Sequence, residues 1–221
     1  MTANVKQTID KICNNEIFDD ELYFIGGTAL AYYLNHRISE DIDIISAKAL
    51  NYKQITPSIS ALGALKIQDE NITALRIAGL FPDEYMIKFV LDNVKLDFFQ
   101  ANRPIQKKIL FEATFNNFES SKLKILDVKS VAKLKIVALL MREKLRDLFD
   151  FGAILEHKVL TDDEIIDIFT KIDSRIISNS DIIDFIKSKH ESLDDEAVYL
   201  AETNRIDLTF NEIKEQVINR L

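Results

Sequence analysis

GGTALAYYLNHRISEDIDIIS, residues 26–46, contains the pattern that decides the fold. Two adjacent glycines follow the β-rich run LYFI and precede a short apolar run with helical spacing. The segment DIDII then alternates acidic and β-branched residues, as a half-buried strand does. The order of strand, glycine turn, helix and strand predicts that a turn able to hold an anion lies close to two carboxylates.

Asp41 and Asp43 are two positions apart on the second predicted strand, so both carboxylates point to the same face. Two like charges side by side repel each other unless a cation lies between them. Mg²⁺ (or Mn²⁺) suits such a pair, since it accepts one or two carboxylates and completes its shell with water and phosphate oxygens. The pair predicts a metal site, although a D-x-D on an exposed strand is also typical of a solvated sheet edge.

The glycine turn predicts a phosphate site. Gly26 and Gly27 have unhindered backbone N–H groups at the start of a helix, where the helix dipole is positive, and Thr28 adds a hydroxyl. The alternative is a tight turn with a structural role alone.

A third carboxylate lies in the run VKLDFF, residues 94–99. This run, EYMIKFVL (84–91) and ITALRIA (72–78) are β-rich, and Asp92-Asn93 is suited to a two-residue hairpin turn. Asp97 alternates with Leu96 and Phe98, so it points away from the core and could bind a metal or act as a general base. A charge on an exposed strand face is the simpler alternative.

The second half of the chain lacks a β signal and carries helical three-to-four spacing, with Asp127, Thr161 and Ser180 as candidate N-caps. We therefore predict an α+β fold, with a mixed-sheet domain over residues 1–120 and a helical bundle over residues 121–221. Residues 122–146 hold eight Lys/Arg against two Asp/Glu, whereas the rest of the bundle is acidic. A polyanion should approach along this basic strip.

Composition excludes several classes of site. The chain has 221 residues and a net charge of −8, with a single cysteine and three scattered histidines. These exclude an internal disulfide and a zinc-ligand spacing, so a metal should be bound by oxygen. The longest apolar runs are too short to cross a bilayer and the N-terminus lacks a signal peptide's apolar core, which predicts a cytoplasmic protein without membrane contact.

The opening stretch resembles the first motif of the AbiEii/AbiGii-type nucleotidyltransferase toxins, a branch of the minimal, DNA-polymerase-beta-like nucleotidyltransferase superfamily. The matching residues are Gly26, Gly27, Thr28, Ala29, Leu30, His36, Arg37, Ser39, Asp41, Ile42 and Asp43. Asp97 fits the place of the family's third strand carboxylate.

A second motif of the family is similar to KIVALLMREKLRDLFD. The matching residues are Lys135, Ala138, Leu139, Arg142, Arg146, Asp147 and Asp150. On one continuous helix, Lys135, Arg142 and Arg146 would share one stripe, and a bound polyanion would relieve their repulsion. The alternatives are a solvated basic face and, for Asp147 and Asp150, salt bridges to neighbouring cations.

The resemblance implies an enzyme that transfers NMP from an NTP to an acceptor, with RNA such as a tRNA end as one acceptor class. It also implies the toxin of a toxin–antitoxin or abortive-infection (phage defence) module, with an antitoxin protein as partner. The implied catalytic residues are Asp41, Asp43, Asp97 and Lys135, of which the three aspartates bind metal. The implied nucleotide- and phosphate-binding residues are Gly26, Gly27, Thr28, Arg37, Ser39, Arg142, Arg146 and Asp147.

The same residues are also compatible with other roles, and the chain with other functions. His36 and Arg37 could complement the negative end of the short helix, and Ser39 could cap the turn into the strand. The chain could be a non-catalytic nucleotide- or partner-binding protein that keeps the fold. It could also be a nucleotidyltransferase that modifies a small molecule, which has the same site chemistry and a different acceptor.

Overall fold

The computed structural model describes residues 1–68, 72–192, 197–201 and 204–221. The chain divides into two compact units. Unit 1 comprises Met1–Ala29 and Ser39–Asp127, and unit 2 comprises Leu30–Ile38 and Val128–Leu221. The division therefore falls within the helix that follows the glycine turn.

Unit 1 is built on a mixed β-sheet. Its helices are α1 (Ala3–Ile12), α2 (Gly26–Leu34, which continues into unit 2), α3 (Tyr52–Ser60), α4 (Ile72–Ile77) and α5 (Pro104–Glu112). Its strands are β1 (Tyr23–Ile25), β2 (Asp41–Ser46), β3 (Leu65–Ile67), β4 (Met86–Leu91), β5 (Val94–Gln100), β6 (Phe115–Asn117) and β7 (Lys124–Leu126). The strand order is β3-β4-β5-β2-β1-β7-β6, with β2 parallel to β5 and β1 parallel to β7. The predicted α+β class with a mixed sheet is confirmed.

The alternation in β2 and β5 separates two faces of the sheet. Ile42, Ile44, Leu96 and Phe98 are fully buried, and the strands that carry them contact α1. The aspartates between them, on the opposite face, are partly exposed. At this end of β2 and β5 the face carries the polar side chains of Asp41, Asp43, Lys95 and Asp97, which are available for chemistry.

Several elements differ from the sequence prediction. The run ITALRIA was predicted to be a strand, but Ile72–Ile77 form the helix α4. The apolar residues of this short run fit helical spacing as well as β spacing, so the pattern did not distinguish the two structures. The sheet continues past residue 120, where the sequence was predicted to lack strands, because β7 pairs with both β1 and β6.

Unit 2 is mainly helical. Its elements after α2 are α6 (Val128–Met141), α7 (Leu145–Glu156), α8 (Asp162–Ile172), α9 (Asn179–Ser188), β8 (Tyr199–Ala201), β9 (Asn204–Arg205) and α10 (Phe210–Ile218). The N-cap predicted at Thr161 is confirmed by a complete capping box with Glu164. The N-cap of α9 is Ser178 rather than Ser180.

The long helix predicted over the second motif is two helices. α6 ends at Met141 and α7 begins at Leu145, with Lys144 in an extended conformation between them. Lys135 is therefore on α6 and Arg146 on α7, and the single cationic stripe predicted along one helix is wrong.

Among the described residues, none of the helices combines the length and the apolar composition that a membrane span requires.

Candidate functional site

A row of five side chains crosses the open face of the unit 1 sheet in register. Asp43 on β2 is paired with Asp97 on the parallel strand β5. Asp97 is paired in turn with Lys88 on β4, and Lys88 with Ile67 on β3. On the other side, Asp43 is paired with Ile25, the last residue before the glycine turn. Because paired residues on neighbouring strands point to the same face, the two carboxylates lie side by side between the turn and a lysine.

Asp97 is influenced by Asp41, which lies two residues before Asp43 on β2. Burial raises the pKa of the Asp97 carboxyl above its ordinary value, and the Asp41 carboxylate adds to that rise. Lys88 and Lys95 act in the opposite direction and lower the same pKa. Asp41 therefore lies within electrostatic range of Asp97, as the period of two along β2 predicts.

The chemistry of these three donors fits a hard divalent cation, since Mg²⁺ prefers carboxylate oxygens as its protein ligands. In the described part of the chain, however, the side chains of His, Cys, Asp and Glu do not form a group of three or more that could hold a metal ion. The metal site at Asp41, Asp43 and Asp97 thus stays a prediction.

Gly26 packs directly against the side chain of Asp43. Its φ is +82°, in the left-handed region that favours glycine. A Cβ at this position would lie 2.8 Å from Asp43 Cγ and would overlap with Oδ2. The absence of a side chain at Gly26 lets the carboxylate of Asp43 rest against the first turn of α2, where Gly27 follows as a buried residue.

Thr28 and Ser39 are both buried. The Thr28 hydroxyl donates a hydrogen bond to the backbone carbonyl of Asp41, which ties α2 to the first residue of β2. The predicted phosphate contact of this hydroxyl would require that bond to be given up, because a hydroxyl has one proton to donate. The phosphate roles of Gly26, Gly27, Thr28 and Ser39 stay predictions.

Asp150 is the centre of an ion-pair network in unit 2. Its carboxylate accepts hydrogen bonds from Arg37 Nε (2.6 Å) and Nη2 (2.9 Å) and from His36 Nε2 (2.8 Å), and it pairs with Lys135 Nζ (2.8 Å). Burial alone would raise the pKa of Asp150. The charges of Arg37 and Lys135 and the hydrogen bonds outweigh burial and hold it well below its ordinary value. His36 and Arg37 thus both bind a buried carboxylate.

Asp147 extends the network. It is 1% exposed, accepts a hydrogen bond from Arg142 Nη2 at 2.9 Å, and lies 3.5 Å from Lys135 Nζ. The salt bridges that were one alternative for Asp147 and Asp150 are therefore present. The roles predicted for Lys135, Arg37, Arg142, Arg146 and Asp147 in nucleotide binding are not tested by these contacts.

Two features of the site lay outside the sequence prediction. In the sequence, Lys88 stands out only as part of a β-rich run, and its position beside Asp97 follows from strand pairing across a hairpin. The hairpin itself, with Asp92 and Asn93 both at positive φ, was a usable signal for that register. Asp150 could not be matched to His36 and Arg37, because a pairing across more than a hundred residues leaves no local pattern.

Comparison with known proteins gives a family and a fold. The family described as nucleotidyl transferase AbiEii toxin, type IV toxin–antitoxin system, matches residues 12–215. An uncharacterized protein of Aquifex aeolicus (strain VF5) is 26% identical over 147 residues, which are 66% of this chain and 62% of that protein. The chain thus spans less than two thirds of the length of this curated relative.

Two solved structures share the fold. A candidate nucleotidyltransferase from H. pylori is 17% identical with a TM-score of 0.53, covering 100% of this chain and 94% of the other. The nucleotidyltransferase toxin MenT4 from Mycobacterium tuberculosis H37Rv is 11% identical with a TM-score of 0.54, covering 98% of this chain and 80% of the other. At these identities the likeness concerns the fold alone. The family match extends over nearly the whole chain, and the chain belongs to the AbiEii family of nucleotidyl transferase toxins.

Proposed function

We propose that this protein is a nucleotidyltransferase that transfers NMP from an NTP to an acceptor hydroxyl and releases pyrophosphate. The observation that carries the proposal is the register of Asp43 with Asp97 beside the Gly26 turn. Two neighbouring carboxylates beside a glycine turn are the donors that metal-assisted phosphoryl transfer uses, and a binding module has no need of them.

Each residue of the unit 1 site has a proposed role. Asp41 and Asp43, with Asp97, would hold Mg²⁺ or Mn²⁺, which supplies positive charge to the phosphate oxygens during displacement. The backbone of Gly26 and Gly27 would bind the phosphates that leave as pyrophosphate.

Asp97 would act as the general base. The acceptor oxygen forms a bond to the α-phosphorus, the bond between that phosphorus and the pyrophosphate oxygen breaks, and the hydroxyl proton passes to the Asp97 carboxylate.

The cations of the second motif, together with Arg37, Ser39 and Asp147, are proposed to contribute to nucleotide binding on the strength of the family motif. The description of the family also supports a toxin that has an antitoxin partner. Within that frame we propose RNA, such as a tRNA end, as the acceptor, and a cytoplasmic site of action in phage defence.

The experiment is a transfer assay with each α-labelled NTP in a cell extract that contains Mg²⁺. We expect a labelled product with the wild-type protein and only background label with Asp41→Asn/Asp43→Asn, which removes two metal ligands at nearly constant volume. The matched control is Asp162→Asn/Asp163→Asn, which removes the same two charges from the exposed first turn of α8. The control should label its product at the wild-type rate.

Retained labelling by the Asp41/Asp43 variant would overturn the proposal. NTP binding by calorimetry without a labelled product in any extract would favour the non-catalytic binding protein. A labelled RNA band supports the proposed acceptor, whereas a labelled small molecule points to the small-molecule class.

A further inference from the structure

A pocket of about 300 Å³ lies next to the carboxylate row in unit 1. It is formed by the edge strand β3, the start of β4, the helix α4 and the turn before β4. The residues that matter here are Lys66, Arg76, Asp83 and Lys88. Three of these four side chains are cations.

Among the described residues that line the pocket, the cations outnumber the single carboxylate. Asp83 is 5% exposed and pairs with Lys66 Nζ at 2.8 Å and with Arg76 Nη2 at 2.7 Å. One buried carboxylate therefore holds two cations in place and balances the charge of one of them. Lys88 adds a further positive charge, so an anion is the ligand that this pocket would favour.

Lys88 joins this pocket to the proposed catalytic row. It lines the pocket and is also paired with Asp97 across the β4–β5 hairpin. The glycine turn follows Ile25, which is paired with Asp43 on the opposite side of the two carboxylates. The order along the row is therefore glycine turn, Asp43, Asp97, Lys88 and pocket.

This order assigns the pocket to one of the two substrates. In an in-line displacement the attacking and leaving oxygens lie on opposite sides of the phosphorus. If pyrophosphate leaves on the side of the glycine turn, the acceptor hydroxyl must enter from the side of Lys88. That is also the side of Asp97, the proposed base.

We propose that the Lys66–Arg76–Lys88 pocket is the acceptor subsite, and that it binds a phosphate group that the acceptor carries close to its attacking hydroxyl. This assignment rests on the proposed function. It predicts an acceptor that is a phosphorylated molecule, and it makes Lys88 a residue that selects the acceptor without binding the NTP.

The test separates acceptor binding from NTP binding. The probes are a short single-stranded oligoribonucleotide with a free 3′ hydroxyl, followed by fluorescence anisotropy, and ribose 5-phosphate, followed by NMR line shifts. Lys88 is exposed and Lys95 still acts on the Asp97 carboxylate after Lys88 is replaced, so Lys88→Gln should fold normally. Arg76→Gln is the second variant, and Lys107→Gln removes the same charge from the exposed face of α5 as a control.

We expect Lys88→Gln and Arg76→Gln each to weaken binding of the effective probe by about tenfold. For the oligoribonucleotide, the slope of log K against log salt should fall by about 0.7 for each phosphate that the variant no longer neutralises. Mg-NTP affinity, measured by calorimetry, should stay within twofold of wild type. The probe that responds identifies the source of the phosphate, RNA or a small molecule.

Three results would overturn the assignment. They are a loss of NTP affinity equal to the loss of probe affinity, unchanged probe binding in both variants, and no binding of either probe by the wild-type protein. Failure of the proposed function itself is recognised separately, since a wild-type protein that binds no NTP contradicts it however the acceptor probes behave.

Discussion

Gly26 and Asp43 lie so close together that a single carbon added at Gly26 would clash with the Asp43 side chain. The backbone at Gly26 has φ +82°, and a Cβ there would overlap with the Asp43 carboxylate. The glycine is thus required twice, by the conformation of the turn and by the position of a proposed metal ligand.

Gly26→Ala should reduce both stability and transfer activity. An alanine in the left-handed region costs about 1–2 kcal/mol of unfolding free energy, and displacement of Asp43 adds a packing cost of about 1–3 kcal/mol. The control is Gly63→Ala, since Gly63 has φ +93° and nothing within 4 Å of the added carbon. Urea unfolding and the labelling assay should show that Gly63→Ala loses stability alone. Equal activity in the two variants would contradict the role of the Gly26–Asp43 fit.

Thr28→Val should destabilise the fold by about 1–3 kcal/mol, because it removes the donor to the partly buried Asp41 carbonyl at almost constant shape. Thr28→Ser keeps the hydroxyl and should cost less. The measurement is the midpoint of urea unfolding. If Thr28→Val unfolds like the wild-type protein and only the KM for NTP rises, the hydroxyl serves the nucleotide instead of the fold.

The sequence anticipated the parts of unit 1 that depend on short periods. The alternation in DIDII and VKLDFF placed Asp41, Asp43 and Asp97 on one face of their strands, and Asp92-Asn93 located the hairpin. The strand order could not be predicted from the sequence, because β2 and β5 pair through backbone hydrogen bonds, which do not depend on the pattern of side chains. The placement of Asp43, Asp97 and Lys88 side by side could therefore be recognised only in the structure.

In unit 2 the sequence did not predict the break between α6 and α7. The segment from Asp127 to His157 has unbroken helical spacing, and neither glycine nor proline marks the break after Met141. The side chains of Arg142 and Lys135 instead meet Asp147 across that break. These ion pairs accompany the break, and helix propensity alone does not indicate them.

Arg37→Lys tests whether Arg37 mainly serves Asp150. Lysine keeps the charge and loses the two-pronged hydrogen bonding, so we expect a loss of about 1–3 kcal/mol in unfolding free energy. Arg175→Lys is the control, since Arg175 makes the same two bonds to Asp173 in solvent and its replacement should leave the stability almost unchanged. An unchanged stability of Arg37→Lys together with a raised KM for NTP would instead assign Arg37 to the nucleotide.

Asp150→Asn should be the most destabilising single change in unit 2, at about 3–5 kcal/mol near pH 7, because it leaves buried cations without their counter-ion. The exposed pair of Asp167 with Lys171 provides the control Asp167→Asn, which should cost less than about 1 kcal/mol. Thermal and urea unfolding of both variants give the comparison.

The same carboxyl sets a pH dependence. Because folding lowers the pKa of Asp150 well below its ordinary value of 3.8, its stabilisation is complete above that value and is lost as the pH falls toward the folded-state pKa. The stability difference between the wild-type protein and Asp150→Asn should therefore be constant from neutral pH down to about pH 5 and shrink below about pH 4. A difference that instead grows on acidification would contradict the ionised state of Asp150.

The parallel pairing of β2 with β5 has a consequence for synthesis on the ribosome. Parallel neighbours cannot close through a hairpin, and everything between Ser46 and Val94 must be made before Asp97 can join Asp43. Such non-local pairing forms slowly and late in folding. A nascent chain that already contains the glycine turn and both aspartates of β2 still lacks the pairing of Asp43 with Asp97. The site of the proposed nucleotidyl transfer is therefore complete only after β5 has left the ribosomal exit tunnel and paired with β2.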